Sequence, residues 1–323
     1  MSPKISVLIP VYNAQKYLQA CLASIQKQTF TDFEIVCLDD DSTDDSLDEL
    51  KNFQKHESRL QVLTQANAGV AATRNRLMRQ ARGTYIAFVD ADDVIAPDYL
   101  EKLYTAAQES GADITKCFFK EISEDGKQIS SARCSHLFYK TPSDTLTSCF
   151  ICGYHDSIVW GKLFRRAWLE DINIFFLEER ICEDLPFTTQ AFLEARQITI
   201  VPQHLYFYRK GLTHCVTTQD ERVIIDWLKN LLDLQHILRF RSLWKDEVIA
   251  QWVKVVVWRI CAFRKLPAAE RAQYIPLQQQ AFRQARQAVW AGGWRSKLRW
   301  GGLFVLVRLC GWRSVYFWTK IFR

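Results

Sequence analysis

The chain has 323 residues, with 42 lysines and arginines against 36 aspartates and glutamates, and 48% of its residues are hydrophobic. This length is enough for a full hydrophobic core, and a composition with 24% charged and 13% aromatic residues excludes a disordered chain. Every acidic residue precedes residue 271, and ten basic residues lie between Arg271 and Arg323, so residues 1–270 carry a net charge of −4 and residues 271–323 one of +10. An evenly basic nucleic-acid-binding protein is therefore excluded.

The first 90 residues alternate between apolar runs of strand length and segments with the helical period. Short connections between them predict βαβ units and a mostly parallel α/β sheet flanked by helices. The predicted strands are Ile5–Ile9, Glu34–Leu38, Leu60–Thr64 and Thr84–Val89, and the predicted helices are Ala14–Lys27, Asp44–His56 (capped by Ser42 or Thr43) and Gly69–Gln80.

The remaining chain changes character near residue 220. Two more strands are predicted at Ile114–Phe119 and Gln197–Val201, whereas Glu221–Arg239 and Val248–Arg264 have the helical period. Most of the 11 tryptophans lie in this last part. We therefore predict an α/β domain over residues 1–215 and a helical, aromatic and basic region over residues 216–323.

Polar clusters follow three of the predicted strands, at the sheet edge where α/β proteins bind ligands. They are Pro10–Asn13, Asp39–Asp44 and Asp90–Asp93. So many carboxylates repel each other unless a cation neutralises them, and oxygen ligands without cysteine suit Mg²⁺ or Mn²⁺ shared with phosphates. Each cluster taken alone also fits a helix cap or a solvated turn.

Four segments in this order resemble glycosyltransferase family 2: ISVLIPVYNA, QTFTDFEIVCLDDDSTD, NAGVAATRN and GTYIAFVDADD. A weaker resemblance continues through VWGKLFRR, EDLPF and LYFYR, up to residue 209. It implies a GT-A fold, to which the predicted helical region is a C-terminal appendage, and an inverting, metal-assisted transferase. The donor would be a nucleotide-diphospho-sugar, a UDP-hexose by expectation, and the acceptor a saccharide or a lipid-linked glycan of bacterial surface polysaccharide or lipopolysaccharide.

The resemblance also assigns residues to the nucleotide. Pro10 and Tyr12 would line the base, and Asp40 would accept a hydrogen bond from the uracil imide, with Asp39 supporting it. Asp41 stands where the family usually has glycine. At a position where the family has glycine the backbone can have a positive φ, which aspartate tolerates better than most residues.

Further residues would hold the diphosphate and the metal. Arg74 would contact the base or the diphosphate, and Arg209 would stabilise the leaving diphosphate. Asp90, the first acid of the D-x-D motif, would lie nearer the ribose and sugar, while Asp92 would ligate the Mg²⁺ or Mn²⁺ ion. His214 would complete the metal shell or touch the diphosphate.

Inverting transfer also requires a general base within hydrogen-bond reach of the acceptor hydroxyl. Asp184 matches the family's base position, and Glu183 would position the acceptor or the loop. A purely structural interpretation is that this acidic pair with Pro186 starts a helix.

The last 24 residues have an apolar aromatic face beside a basic one, which is typical of a helix lying on anionic lipid. We therefore expect a cytoplasmic protein, peripheral on the inner face of the cell membrane and not bound to nucleic acid. The alternative is a helical bundle that packs its tryptophans on the catalytic domain. The aromatic face comprises Trp300, Phe304, Val307, Trp318 and Phe322, and the basic one Arg308, Arg313, Lys320 and Arg323.

Three other functions were weighed. A receiver-like phospho-acceptor module would need an aspartate at the end of a central strand, and Leu60–Thr64 ends without one. A nucleotidyltransferase would need a basic, glycine-rich loop after Ile9, which is absent from the sequence. A non-catalytic membrane- or RNA-binding adaptor with a vestigial GT-A domain stays open, and liposome against RNA binding would discriminate it.

Overall fold

The computed structural model describes residues 2–131, 157–211, 222–243, 246–262, 266 and 272–291. These residues form two compact units, one made of residues 2–131 and 157–211 and the other of residues from 222 onward. The boundary predicted between residues 215 and 216 lies outside the described ranges and stays a prediction. None of the described helices combines the length and apolar character that a membrane span requires.

A mixed sheet organises the first unit, with nine strands among the described residues. Their order is β3-β2-β1-β4-β8-β6-β9-β5, and β7 pairs with β6. The strands are β1 (Ile5–Val11), β2 (Phe33–Asp39), β3 (Leu60–Thr64), β4 (Tyr85–Phe88), β5 (Val94–Ile95), β6 (Ile114–Ile122), β7 (Gln128–Ser131), β8 (Lys162–Arg165) and β9 (Ile198–Arg209).

Parallel pairing occurs in two places. Strand β1 pairs in parallel with β2 and β4, and β2 does so with β3, as the predicted βαβ units require. Strand β6 pairs in parallel with β9, whereas β8 runs antiparallel to both β4 and β6. The predicted α/β fold class is confirmed, with a larger antiparallel share than the sequence indicates.

Helices cover the sheet and complete its core. Helix α1 buries Leu18, Cys21, Leu22 and Ile25, the i, i+3, i+4, i+7 stripe of an amphipathic helix. The first unit contains α1 (Gln15–Gln26), α2 (Ser46–Gln54), α3 (Gly69–Gln80), α4 (Tyr99–Ser110), α5 (Arg166–Asp171) and α6 (Asp184–Glu194).

The predicted cap of helix α2 is wrong. The helix begins at Ser46, two residues later than predicted, and the Asp44 carboxylate accepts the Ser46 backbone N–H at 3.0 Å. The Ser42 hydroxyl instead accepts the Asn13 backbone N–H at 3.0 Å, which ties the turn after β2 to the turn after β1.

The regular elements of the second unit are all helices among its described residues. It contains α7 (Arg222–Phe240), α8 (Asp246–Ala262) and α9 (Ile275–Ala291), and α8 packs against both of the others. Trp252 of α8 is fully buried, and its indole N–H donates to the Leu231 carbonyl at 2.7 Å. The two helices predicted after residue 220 are therefore confirmed within two residues at each end.

Candidate active site

The carboxyl ends of β1 and β2 bring together the residues expected at the nucleotide. Strand pairing puts Pro10 beside Leu38, and Val11 beside Asp39. Tyr12 follows directly and is 52% exposed, so its ring is open to a stacked base. The predicted nucleotide residues thus share one edge of the sheet.

Asp39 and Asp40 have different environments there. Both carboxylate oxygens of Asp40 accept hydrogen bonds from the start of helix α3, where the backbone N–H groups of Ala68 and Gly69 lie at 2.9 and 2.8 Å. One Asp39 oxygen accepts the Ser42 N–H at 3.1 Å, and the other is buried without a hydrogen-bond partner among the described residues. Asp40 therefore holds the amino end of α3, and the buried oxygen without a described partner belongs to Asp39.

The turn after β2 has the backbone expected from the departure at Asp41. The φ angle of Asp41 is 65°, which is the left-handed conformation that glycine adopts most easily. Asn13 also has a positive φ, of 49°, and its side-chain oxygen accepts the Thr43 N–H at 2.8 Å. Loop–loop hydrogen bonds therefore fix both turns beside the nucleotide edge.

The D-x-D turn follows β4 and gathers three acids. Asp90, Asp92 and Asp93 each offer a carboxylate oxygen within 4.8 Å of the others. Burial and the neighbouring Asp90 raise the pKa of Asp92 to about 6. Crowded, partly buried carboxylates are stabilised by a divalent cation, so the oxygen ligands at Asp90 and Asp92 fit Mg²⁺ or Mn²⁺.

Arg74 connects this turn to the predicted base. Its guanidinium lies 2.8 Å from Asp90 and 2.7 Å from Asp184, and it also pairs with Glu183. The side chain is only 5% exposed. The structure places Arg74 among three carboxylates, and its expected contact with the base or the diphosphate of the nucleotide stays a prediction.

Asp184 is the first residue of helix α6, with Pro186 in the first turn. Its side chain is 23% exposed, so an acceptor hydroxyl has access to it. Burial raises the pKa of the Asp184 carboxyl, and the Arg74 guanidinium opposes the rise. Burial also raises the pKa of Glu183, again opposed by Arg74. Glu183 and Asp184 can therefore start helix α6 and also supply a carboxylate that takes a proton; the two interpretations are compatible.

The segment before β8 holds the other side of this carboxylate. The Val159 backbone N–H donates to Asp184 Oδ2 at 3.2 Å. Lys162 is 2% exposed, and its ammonium donates to the Ile158 carbonyl at 2.6 Å. Neither role is predicted above, although a lysine inside the apolar run V-W-G-K-L-F is a signal of a buried, hydrogen-bonded charge.

The Arg209 guanidinium, expected to stabilise the leaving diphosphate, binds backbone carbonyls around the D-x-D turn. It donates to the backbone carbonyls of Asp92, Ser123 and Glu124, at 2.8, 3.2 and 2.6 Å, and the residue is 7% exposed. Arg209 therefore ties the D-x-D turn to a neighbouring turn, and its contact with a diphosphate stays a prediction. His214, the expected third metal residue, lies outside the described residues.

The family model described as Glycosyl transferase family 2 matches residues 6–173. The uncharacterized glycosyltransferase EpsJ of Bacillus subtilis is 32% identical over 65% of this chain and 62% of its own length. The poly(ribitol-phosphate) beta-N-acetylglucosaminyltransferase TarS of Staphylococcus aureus is 32% identical over 64% of this chain and 35% of its own length. The chain thus spans less than two thirds of the length of these curated relatives.

Solved structures share the fold. Residues 1–349 of S. aureus TarS, in complex with UDP-GlcNAc, superpose with a TM-score of 0.73 at 22% identity, covering 99% of this chain and 91% of that one. The mannosyltransferase PcManGT of Pyrobaculum calidifontis, in complex with GDP-Man and Mn²⁺, gives a TM-score of 0.57 at 16% identity over 99% and 84%.

The matched region contains most of β1, all of β2, the D-x-D turn and β8, whereas Asp184 and Arg209 lie beyond it. The GT-A fold expected from the sequence is confirmed by the structural neighbours. With more than half of its residues matched by the family model, the chain belongs to glycosyl transferase family 2.

Proposed function

We propose that the protein is an inverting, metal-assisted glycosyltransferase that moves a hexose-type sugar from a UDP-sugar to a saccharide or lipid-linked acceptor of a bacterial surface glycan. The observation that carries the proposal is the Arg74 cluster, because one buried guanidinium joins Asp90 of the D-x-D turn to Asp184. Asp90, proposed for the donor side, and Asp184, proposed for the acceptor side, therefore contact the same guanidinium.

On the donor side, the exposed Tyr12 ring would stack on the base beside Pro10. We assign the uracil imide to Asp39 rather than Asp40, because Asp39 has the buried oxygen without a described partner. A buried acceptor atom of this kind favours a ligand N–H. Asp90 and Asp92 would hold the metal, which supplies positive charge to the leaving diphosphate.

The reaction itself needs Asp184. The acceptor hydroxyl oxygen forms a bond to the anomeric carbon while the bond from that carbon to the diphosphate oxygen breaks. Asp184 takes the hydroxyl proton, and Arg74 with the Val159 N–H holds the carboxylate in place. Attack opposite to the leaving group inverts the anomeric configuration.

The donor is proposed from relatives. TarS carries N-acetylglucosaminyltransferase in its name and was solved with UDP-GlcNAc. A Bacillus spizizenii relative, 35% identical, is named a poly(ribitol-phosphate) beta-glucosyltransferase. UDP-GlcNAc and UDP-glucose are therefore the first donors to test.

A donor screen tests the proposal. We expect thermal stabilisation of the protein, and slow donor hydrolysis, with a UDP-sugar and Mn²⁺, and neither with EDTA in place of the metal. GDP-mannose with Mn²⁺ is the matched control for the base. Stabilisation by GDP-mannose but not by a UDP-sugar would contradict the assignment of UDP as the donor nucleotide. Equal stabilisation in Mn²⁺ and in EDTA would contradict the proposed need for a metal.

A further inference from the structure

The third acid of the D-A-D-D motif has no role in the function proposed above. Asp93 is 1% exposed, and both of its carboxylate oxygens are occupied. The Tyr206 hydroxyl donates to one at 2.7 Å, and the Arg209 backbone N–H donates to the other at 2.7 Å. The side chain thus points into strand β9 with its acceptors in use, which is a poor arrangement for a metal ligand.

The same two residues of β9 also hold the backbone of the D-x-D turn. The Tyr206 hydroxyl accepts the Asp90 N–H at 3.2 Å, and the Arg209 Nε donates to the Asp92 carbonyl at 2.8 Å. Both proposed metal ligands are therefore fixed through their own peptide groups. Strand β5, which follows the D-x-D turn, also pairs with β9 and so attaches the end of the turn to the same strand.

Tyr206 is itself rigidly held. It is fully buried, and its ring stacks on Trp160 with a centroid distance of 4.4 Å and an interplanar angle of 11°. Trp160 is the residue after Val159, whose N–H binds the Asp184 carboxylate. One tyrosine thus connects the D-x-D turn with the segment that holds the proposed base.

We infer that Asp93, Tyr206 and Arg209 are positioning residues that set the separation and orientation of Asp90 and Asp92 for a divalent cation, and that Asp93 is not a ligand. The inference rests on the proposed metal-assisted function. Residues that orient metal ligands through hydrogen bonds tune metal affinity without touching the ion. Loss of one such bond would leave the fold intact but separate the two ligands.

Calorimetry of Mn²⁺ binding in the presence of UDP, on the full chain, tests this inference. Tyr206→Phe removes one hydroxyl and keeps the stacked ring, and we expect Mn²⁺ affinity to fall by about tenfold. Tyr99→Phe is the matched control, because Tyr99 is also fully buried and its hydroxyl faces the Lys162 carbonyl. Its Mn²⁺ affinity should equal that of the wild type.

Two further variants keep the test decisive if Tyr206→Phe folds poorly. Arg209→Lys removes the Nε–H that reaches Asp92, and should also weaken Mn²⁺ by about tenfold. Asp93→Asn should bind Mn²⁺ more weakly than the wild type but more tightly than Asp92→Asn, because only Asp92 is a ligand.

Two results would overturn the inference while leaving the proposed function standing: wild-type Mn²⁺ affinity in the variants of Tyr206 and Arg209, or a loss in Asp93→Asn as complete as in Asp92→Asn. A wild-type protein that binds UDP but no Mn²⁺ would overturn both proposals.

Discussion

Arg74 is surrounded by more negative charge than it can neutralise. Three carboxylates, those of Asp90, Glu183 and Asp184, contact one guanidinium inside a largely buried site. Such a cluster keeps its geometry because the planar guanidinium has several donors in fixed directions, which a lysine ammonium does not reproduce. The charge excess also gives a bound cation at Asp90 and Asp92 a favourable electrostatic setting.

Arg74→Lys should therefore retain the positive charge but lose the geometry. We expect transfer to fall by about 100-fold, mainly in kcat, because the Asp184 carboxylate is no longer held in position. Steady-state kinetics with the donor and acceptor varied separately would measure this. Arg79→Lys, an exposed residue of the same helix, is the control and should leave both constants unchanged. Equal activity in the two variants would contradict the role of Arg74.

The Asp184 pKa has a consequence for the pH profile. Burial raises this pKa above the ordinary value of 3.8, and only the ionised carboxylate can take a proton. Activity should therefore be lost as the pH falls through the raised pKa, so the acid limb of kcat lies above 3.8. A kcat profile at saturating donor measures the limb. Full activity down to about pH 4 would show that no buried carboxylate acts as the base.

At the scale of elements, hydrophobic periodicity predicts strands and helices, but it does not predict which distant segments come into contact. Strand β3 and helix α3 have their predicted bounds, because an apolar run and a helical stripe are local signals. The contact between Arg74 and Asp184 joins residues 110 positions apart, and nothing in either segment encodes it. For the same reason the sequence indicates a cation at Arg209 but not the three backbone carbonyls to which its guanidinium donates.

The segment between residues 157 and 162 is an element whose function depends on backbone hydrogen bonds. Thr188 of helix α6 donates to the Ser157 carbonyl at 2.8 Å, and Lys162 donates to the Ile158 carbonyl. Both bonds position the Val159 N–H that meets the Asp184 carboxylate. The segment thus helps to hold the Asp184 carboxylate in place.

Lys162→Met should weaken that support while preserving the fold, because an apolar side chain of similar length replaces a buried charge. We expect kcat to fall on the order of tenfold with little change in the donor KM. Thermal denaturation, run beside the kinetics, separates the two effects. A lower Tm with an unchanged kcat would mean that Lys162 is only structural.

At the scale of the molecule, the contrast between the acidic residues 1–270 and the basic residues 271–323 predicts that the protein is located at an anionic membrane surface. Helix α9 buries Ala281, Ala285 and Ala288, while Arg283 and Arg286 are exposed. Residues after 291 contribute further positive charge but lie outside the described residues. A cationic region bound to anionic lipid would bring the chain to the surface that presents a lipid-linked acceptor.

Vesicle binding checks this expectation. The full chain should bind anionic vesicles and lose binding as salt increases, since lipid attraction is worth about 1 kcal/mol for each basic residue near the surface. Replacing Arg295, Lys297 and Arg299 with glutamine should weaken the binding. Neutral phosphatidylcholine vesicles and an RNA of similar charge are the controls. Preferential binding to RNA would favour the adaptor function instead.

The account depends most on Asp184 as the base of sugar transfer. The most direct measurement compares UDP binding and transfer rate in Asp184→Asn, with Asp171→Asn, an exposed acid, as the control. We predict UDP affinity close to that of the wild type and a transfer rate lower by about 10²–10⁴. A variant that transfers sugar at nearly the wild-type rate would contradict the assignment.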